Sequence, residues 1–296
     1  MFRSKRDKES IFCYVFLGVV AALCRFPVIV AVSSSISSEV EVVKNGYSVF
    51  PQSPTLDTYR FLFSNKGMLL LRSYGVTLVS TVLGTIYTLV ITTCFAYAVA
   101  QKKSVFPLAN ALSFYAWFTT VFGGGVLPWY ILCTQNYGLH NNIWALFIPY
   151  GMNVFNMFIL KNNFKNLPEE LSEAARIDGA SNWKIFTQIA LPLIKSGLVT
   201  VSLFTVLMYW NDFTLPLYLV TKSQYYTVQR FLYNMMANIT ALLSGVASAV
   251  VQEHMVVPST TAKMAMTVLT ILPIAVVFPF AQKYFAQGLT VGAVKG

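Results

Sequence analysis

The chain has 296 residues, of which 56% are hydrophobic and only 11% are charged, and its formal net charge is +10. Soluble domains carry about 25% charged residues, so this composition excludes an ordinary soluble domain and indicates one integral membrane domain. Basic residues of membrane proteins usually encode orientation, so the positive charge is better explained in this way than by nucleic-acid binding.

Six apolar segments are long enough to cross a bilayer as helices, since about 20 residues span its hydrocarbon core. The first covers residues 11–32 and is too long for a cleavable signal peptide, so we expect it to remain as an uncleaved span. The other predicted spans are residues 74–100, the two parts of the uncharged stretch 104–160 on either side of the polar break 134–142, residues 196–220 and residues 264–282.

The basic residues are distributed unequally between the two sides that these spans define. Thirteen of the 21 lie before span one, between spans two and three, between spans four and five, and after span six. Seven lie in the longer segments on the opposite side. Because cytoplasmic segments carry an excess of Lys and Arg, both termini are predicted to be cytoplasmic.

Residues 237–252 are apolar enough to suggest a seventh span, but the segment is short and rich in small side chains. A span there would place the basic C-terminal segment outside. We therefore expect an external helix or a loop insertion, and membrane entry of this segment stays an open alternative.

The segment 161–193, between spans four and five, has the most informative pattern of the chain. Pro168 and the two glutamates after it are typical of a helix start, because Pro fits the first turn and acids favour the positive end of the helix dipole. Gly179 is predicted to end this helix in a left-handed conformation, and Ser181 to cap a second one that ends at Pro192. A linker lying on the membrane surface is an equally good interpretation of this pattern alone.

The same segment resembles the signature of a known family. Glu173-Ala174-Ala175, Gly179, Ile189 and Leu191-Pro192 match the EAA motif of permease subunits of bacterial ABC importers. Five further segments resemble the carbohydrate-importer branch, which includes maltose-type, LplC/YtcP-like and alginate-oligosaccharide permeases. They are residues 123–130, 137–149, 155–164, 209–217 and 288–296.

The resemblance covers roughly residues 74–296 and implies an all-α integral membrane fold. That fold is the type I ABC importer permease, with six transmembrane helices and a cytoplasmic EAA coupling helix, in the bacterial inner membrane. We accordingly divide the chain into an N-terminal part, residues 1–73, and a permease core, residues 74–296.

Residue roles and partners are also implied by the resemblance. The implied ATPase-coupling residues are Glu173, Ala174, Ala175, Asp178, Gly179, Ile189, Leu191 and Pro192. The implied partners are a second homologous permease subunit, two ATPase subunits, an external solute-binding protein, membrane lipid and an oligosaccharide substrate, with no nucleic acid. The loop 221–263 is expected to reach the binding protein. The tail 283–296 is expected either to reach the ATPase dimer or to be a frayed terminus.

The sequence contains no phosphate-binding loop of the form G-x-x-x-x-G-K-[ST], so we expect no ATP site in this chain. ATP and Mg²⁺ would be bound by the partner ATPase, and the chain is expected to be neither an enzyme nor a binder of cofactor or metal. The alternative is a secondary transporter driven by an ion gradient. Such proteins use intramembrane acids and often internal repeats, whereas the predicted spans contain one acid, Asp212.

Aromatic and amide side chains in spans three to five are candidates for the translocation path, because sugar sites combine aromatic faces with hydrogen-bonding groups. These candidates are Trp129, Tyr130, Asn153, Asn156, Tyr209, Asn211 and Asp212. For each of them, packing between helices is an equally good interpretation. The sequence does not distinguish a neutral from an acidic saccharide.

Overall fold

The computed structural model describes residues 2–244 and 259–293, in which helices are joined by short connections and no β-strand occurs. The helices up to the loop 161–193 are α1 (Phe2–Ser35), α2 (Glu39–Asn45), α3 (Asp57–Ala100), α4 (Ala109–Val121), α5 (Val126–Ile131) and α6 (Val154–Lys165). The others are α7 (Glu169–Ile177), α8 (Asn182–Lys184), α9 (Leu191–Leu193), α10 (Lys195–Trp210), α11 (Thr214–Leu219), α12 (Val228–Ser244) and α13 (Thr260–Ala293).

Three helical segments of the described residues are long and apolar enough to cross a membrane. They are Ile11–Ser35, Gly67–Ala100 and Lys195–Leu219, at the positions predicted for spans one, two and five. A fourth candidate is a pair of helices, Ala109–Val121 and Val126–Asn136, between which the helix direction bends by 113°.

The bend in this pair coincides with the consecutive glycines 123–125. Gly125 has a φ of +84°, which L side chains rarely adopt, so a regular helix cannot continue through it. The chain therefore leaves α4 at Val121 and enters α5 in a new direction. The third predicted span is thus a broken helix rather than a straight one.

The segment predicted as span four is irregular over its first half. Two short 3₁₀ turns, Ile143–Leu146 and Ile148–Tyr150, precede α6, which has only 12 residues. Irregular backbone at membrane depth is tolerated where protein covers it. Ala145, Leu146 and Phe147 are accordingly buried.

The C-terminal part of the chain is helical where it is described. Residues 237–244 continue α12, while 245–252, the rest of the segment considered as a seventh span, lie outside the described residues. α13 provides the apolar stretch Thr260–Val276 at the start of predicted span six. It continues as a helix to Ala293, through most of the predicted tail.

The described helices belong to two compact units. One comprises Met1–Leu70 and Phe231–Val276, and the other comprises Leu71–Arg230 and Val277–Gly296.

In the first unit, a single carboxylate joins α2 to the start of α13. Glu39 Oε1 accepts hydrogen bonds from the backbone nitrogens of Ser259 and Thr260 at 3.1 and 2.8 Å. Its Oε2 accepts from the backbone nitrogen and the hydroxyl of Thr261 at 2.8 and 2.7 Å. The first N–H groups of a helix lack partners within it, and negative charge is favoured there. Glu39 therefore caps α13 from a separate helix.

The capping also determines how the Glu39 carboxyl titrates. Burial raises its pKa, but the hydrogen bonds from Thr261, Thr260 and Ser259 outweigh burial, so the pKa lies below the ordinary value. Because folding lowers the pKa of Glu39, the full contribution of this residue to stability is present at pH values above its pKa in the unfolded chain. It is lost as the pH falls through the folded pKa.

In the second unit, α3 and α10 approach closely at a glycine. A Cβ atom built on Gly84 would lie 2.7 Å from Cζ of Tyr209. The Tyr209 hydroxyl donates to the carbonyl oxygen of Phe147 at 3.1 Å and shares a 2.8 Å hydrogen bond with Thr88 Oγ1. The ring cannot move aside without breaking these bonds, so position 84 requires glycine.

We predict that Glu39→Gln lowers the thermal stability of the purified protein at neutral pH, by about 1–2 kcal/mol for a lost charged cap. Melting curves in detergent from neutral pH to about pH 4 should show that the variant also loses part of the pH dependence. Glu41→Gln is the matched control, because Glu41 lies on the same helix and receives a hydrogen bond from Asn45 rather than from α13. Equal effects of the two variants would contradict the capping role.

We predict that Gly84→Ala destabilises the protein by about 1–3 kcal/mol, the usual effect of overpacking. Gly75→Ala on the same helix is the control, because its Cβ would meet no atom within 4 Å. That change should be neutral or stabilise the helix by up to about 1 kcal/mol. Melting temperatures in detergent measure both, and an equal shift in the two variants would refute the close approach.

Candidate functional site

The segment 161–193 folds as helical pieces joined by a tight turn. α7 starts directly after Pro168, and Ser181 Oγ accepts a hydrogen bond from the backbone nitrogen of Lys184 at 3.3 Å, at the start of α8. Both features lie where the sequence predicted a helix start and a cap. The second helix differs from its prediction, since the helical path continues through Pro192 in α9 and reaches α10 at Lys195.

The turn after α7 depends on Gly179. Its φ is +77°, in the left-handed region that glycine adopts without strain. The backbone nitrogen of Ala180 donates to the carbonyl of Ala175 at 2.9 Å, and that of Gly179 donates to the carbonyl of Arg176 at 3.0 Å. This pair of bonds is the Schellman motif, which satisfies the last carbonyls of a helix.

The half of the segment that covers residues 168–184 is exposed and contains no buried residue. No side chain of α7 is buried, and Ile177 is 87% exposed. Trp183, just beyond the turn, is 67% exposed. Among the signature residues, Glu173, Ala174, Asp178, Gly179 and Pro192 are exposed, whereas Ala175, Ile189 and Leu191 are half-buried. The residues around the turn at Gly179 are therefore open to contact with another molecule.

The C-terminal half of the segment is anchored in the core. Ile185 and Phe186 are buried. The ring of Phe186 lies 4.8 Å from that of Tyr97 on α3 and 6.3 Å from that of Phe164 on α6, measured between centroids. Tyr97 and Phe164 pack edge to face at 5.3 Å. This aromatic cluster attaches the exposed half to the ends of two helices of the second unit.

An ion pair also ties α7 to the turn after α3. Lys102 Nζ contacts the carboxylate of Glu169, in the first turn of α7. The hydrogen bond to Glu169 and the charge of that carboxylate raise the pKa of Lys102. The contact shows that the turn between α3 and α4 and the segment 161–193 lie at the same end of the second unit.

The translocation candidates of α10 and its C-terminal end lie in a packed polar cluster. Asp212 Oδ1 accepts from the Tyr150 hydroxyl at 2.6 Å and from the backbone nitrogen of Thr214 at 3.0 Å. Its Oδ2 accepts from the backbone nitrogen of Leu215 at 3.2 Å. Asp212 therefore caps α11, and the Tyr209 ring lies 5.9 Å from that of Tyr150.

Two asparagine candidates lie at the start of α6. Asn153 Oδ1 accepts from the backbone nitrogen of Asn156 at 3.0 Å and so caps this helix. Asn156 is buried, and its side chain donates to Thr205 Oγ1 at 3.4 Å. Both asparagines therefore have structural partners within the second unit.

Five candidates retain accessible surface; of these, Asn153 and Asp212 accept helix-capping hydrogen bonds, and the other three do not. Asn211 is exposed, and its side chain donates to the carbonyl of Leu207 at 3.0 Å. Trp129 and Tyr130 are half-buried beside a small hydrophobic core that includes Cys133, Leu215 and Leu219. These three remain the candidates best placed to meet a molecule in a translocation path.

Asn141 was missed by the sequence analysis, although it joins two loops. Its Oδ1 accepts from the backbone nitrogens of Thr221 and Lys222 at 2.7 and 2.8 Å. Its φ of +55° is unusual for a residue other than glycine. Asparagine tolerates this conformation better than most residues, so the run of polar turn residues at 138–142 was the available signal.

Comparison with known proteins places this arrangement in a family. Residues 67–291 match the family model described as the binding-protein-dependent transport system inner membrane component. The chain belongs to this family. The matched range contains both the segment 161–193 and the polar cluster around Asp212, and it confirms the resemblance noted from the EAA motif.

Individual relatives cover almost the whole chain. Protein LplC of Bacillus subtilis is 36% identical over 100% of this chain and 98% of its own length. The polygalacturonan/rhamnogalacturonan transport system permease protein YtcP of the same organism is 33% identical over 96% of each. A bacterial ABC transporter involved in the import of the acidic polysaccharide alginate has a chain of similar structure. Its TM-score is 0.77 and its identity 27%, over 94% of this chain and 97% of that one.

We predict that Asp212→Ala lowers the thermal stability of the protein by about 1.5–3 kcal/mol, because hydrogen bonds to a charged acceptor are lost. Asn211→Ala is the neighbouring control and should leave the melting temperature unchanged, since Asn211 is exposed. If Asp212→Ala left stability intact and abolished only transport, the carboxylate would belong to the translocation path rather than to packing.

Proposed function

We propose that this chain is one of two membrane-spanning subunits of an ATP-driven importer that passes an oligosaccharide from an external binding protein across the inner membrane. Membership of the binding-protein-dependent family carries this proposal. In this role the chain is not an enzyme, and ATP and Mg²⁺ are bound by two copies of a separate ATPase.

The proposed coupling surface is α7 with the turn at Gly179. This surface is exposed, whereas the residues that follow it are anchored against Tyr97 and Phe164. A partner that moved α7 would thus act on the ends of α3 and α6. Glu173 is proposed to make a charged contact with the ATPase, and the small side chains of Ala174 and Ala175 allow its backbone to approach closely.

The proposed topology has six spans with both termini in the cytoplasm. Two contacts within the second unit support connections that alternate between the two sides of the membrane. They are Lys102 with Glu169, and Asn141 with Thr221 and Lys222. The first joins segments predicted to be cytoplasmic, and the second joins segments predicted to be external. The external segment 221–263 is proposed to contact the binding protein.

The proposed substrate is an oligosaccharide containing acidic sugars. This preference rests on two of the similar proteins, which are named for polygalacturonan/rhamnogalacturonan and for the acidic polysaccharide alginate. Other relatives are named for arabinooligosaccharides and galactooligosaccharides, at 26% and 28% identity. Neutral oligosaccharides therefore belong in the same test.

A secondary transporter driven by an ion gradient is the alternative function. Its coupling would need an acid able to exchange ions, and Asp212 is the one acid that the sequence places in the predicted spans. Both carboxylate oxygens of Asp212 accept hydrogen bonds from neighbouring groups. This arrangement suits a helix cap better than an ion relay.

Uptake by proteoliposomes tests the proposal directly. The chain is reconstituted with its partner permease, ATPase and binding protein, and uptake of labelled uronic and neutral oligosaccharides is measured. We expect uptake that needs ATP and the binding protein and survives collapse of the ion gradients. Uptake that stops on collapse of the gradients and ignores ATP would favour the secondary transporter.

We predict that Gly179→Asp lowers ATP-dependent uptake by about tenfold, because it places a charged side chain in the proposed docking turn, at a φ of +77° that glycine adopts without strain. Glu173→Lys should have a similar effect by reversing the proposed charged contact. Gly138→Asp is the matched control, because Gly138 also has a positive φ of +61° and an open environment, but lies in the loop predicted to be external. Unchanged ATPase assembly and uptake in Gly179→Asp would contradict docking at this turn.

A further inference from the structure

A cavity of about 420 Å³ lies beside α7, in the second unit. Its walls come from the end of α3 and the turn that follows, from the end of α6, and from α7 itself. Four basic side chains line it, Lys102, Lys103, Lys165 and Arg176, together with two acidic ones, Glu169 and Glu173.

The charges around this cavity do not cancel. Glu169 is paired with Lys102. Within the described part of the chain, the structure pairs none of Lys103, Lys165 and Arg176 with an acidic side chain. Glu173 is the remaining acid of the lining, so the cavity carries an excess of two positive charges.

Most of the uncharged lining residues are apolar, the exceptions being Gln101, Asn110 and Ser172, and an apolar wall lies where helices proposed to span the membrane end. In this wall, Tyr97 is in the last turn of α3 and Phe164 in the last turn of α6, and Leu167 and Ala190 lie beside them. A cavity with an apolar wall at the helix ends and a basic rim beyond them has the polarity of the boundary between hydrocarbon and headgroups. A molecule suited to it has an anionic group attached to an apolar part.

We propose that this cavity binds the headgroup of an anionic phospholipid of the inner leaflet. Basic pockets between transmembrane helices on the cytoplasmic side are suited to such headgroups. The phosphate would lie among Lys103, Lys165 and Arg176, where guanidinium can donate two parallel hydrogen bonds and ammonium acts as a point charge. The placement in the inner leaflet rests on the topology proposed above, whereas the chemistry of the cavity does not.

The bound headgroup would act on the coupling surface. It contacts residues of α7, of the end of α6 and of the turn after α3, the same three elements that the Lys102–Glu169 pair and the aromatic cluster connect. Its negative charge would offset the excess positive charge of the cavity. The position of α7 would then depend on the lipid composition of the membrane.

Native mass spectrometry of the purified full-length chain, titrated with phosphatidylglycerol or phosphatidylcholine, tests the proposal. The variant Lys103→Gln with Lys165→Gln removes two charges of the cavity. The matched control, Lys184→Gln with Lys195→Gln, removes two charges, at the end of α8 and the start of α10, that do not line the cavity. All four side chains are exposed, so both variants are expected to fold.

We expect phosphatidylglycerol to bind wild-type and control protein, and its affinity for the cavity variant to fall about fivefold for each charge removed. Equal losses in both double variants, or equal binding of phosphatidylcholine, would overturn the proposal. Displacement of phosphatidylglycerol by inorganic phosphate would also overturn it, by identifying a free anion as the ligand. Since this measurement involves neither ATPase nor uptake, its failure would leave the transport function untouched.

Discussion

The contact of Phe186 with Tyr97 and Phe164 is the constraint on which the proposed coupling surface, α7 with its glycine turn, depends. An exposed helix can transmit force only if the chain beyond it is rigidly attached, and isolated helices as short as α7 are not stable in water. The aromatic cluster provides this attachment, with ring centroids 4.8 to 6.3 Å apart. The glycine turn then orients α7 from this anchor, and the Lys102–Glu169 pair holds its other end.

Local chemistry allowed the helix start, the turn and the cap within the segment 161–193 to be predicted from sequence. Pro168, Gly179 and Ser181 act through their own backbone preferences, which tertiary contacts do not override here. Spans one, two and five could also be predicted from the sequence, because each contains a long apolar stretch with few charges. The bend at the glycines 123–125 and the irregular turns over 143–150 could not be predicted in this way. Hydropathy measures how apolar a segment is, whereas its path depends on the protein that covers its backbone.

The polar residues show a second limit of sequence reasoning. Within a membrane every polar group needs a hydrogen-bond partner. A polar side chain that binds substrate and one that stabilises the packing of two helices therefore look alike in the sequence. The structure separates them in part. Tyr209, Asp212 and Asn156 form hydrogen bonds inside the second unit, whereas Asn211 remains exposed. No sequence pattern identified Tyr150 as the partner of Asp212 or Thr88 as the partner of Tyr209.

The proposal with the most consequences is that a separate ATPase docks on α7. It is tested most directly by a photoreactive amino acid placed at Ile177, which is 87% exposed, in the assembled transporter. Tyr137, 64% exposed in a loop predicted to be external, is the comparison position. If α7 is the docking surface, the probe at Ile177 cross-links to the ATPase subunit and the probe at Tyr137 does not. Cross-linking of the ATPase from Tyr137 alone, or from neither position, would contradict the proposal.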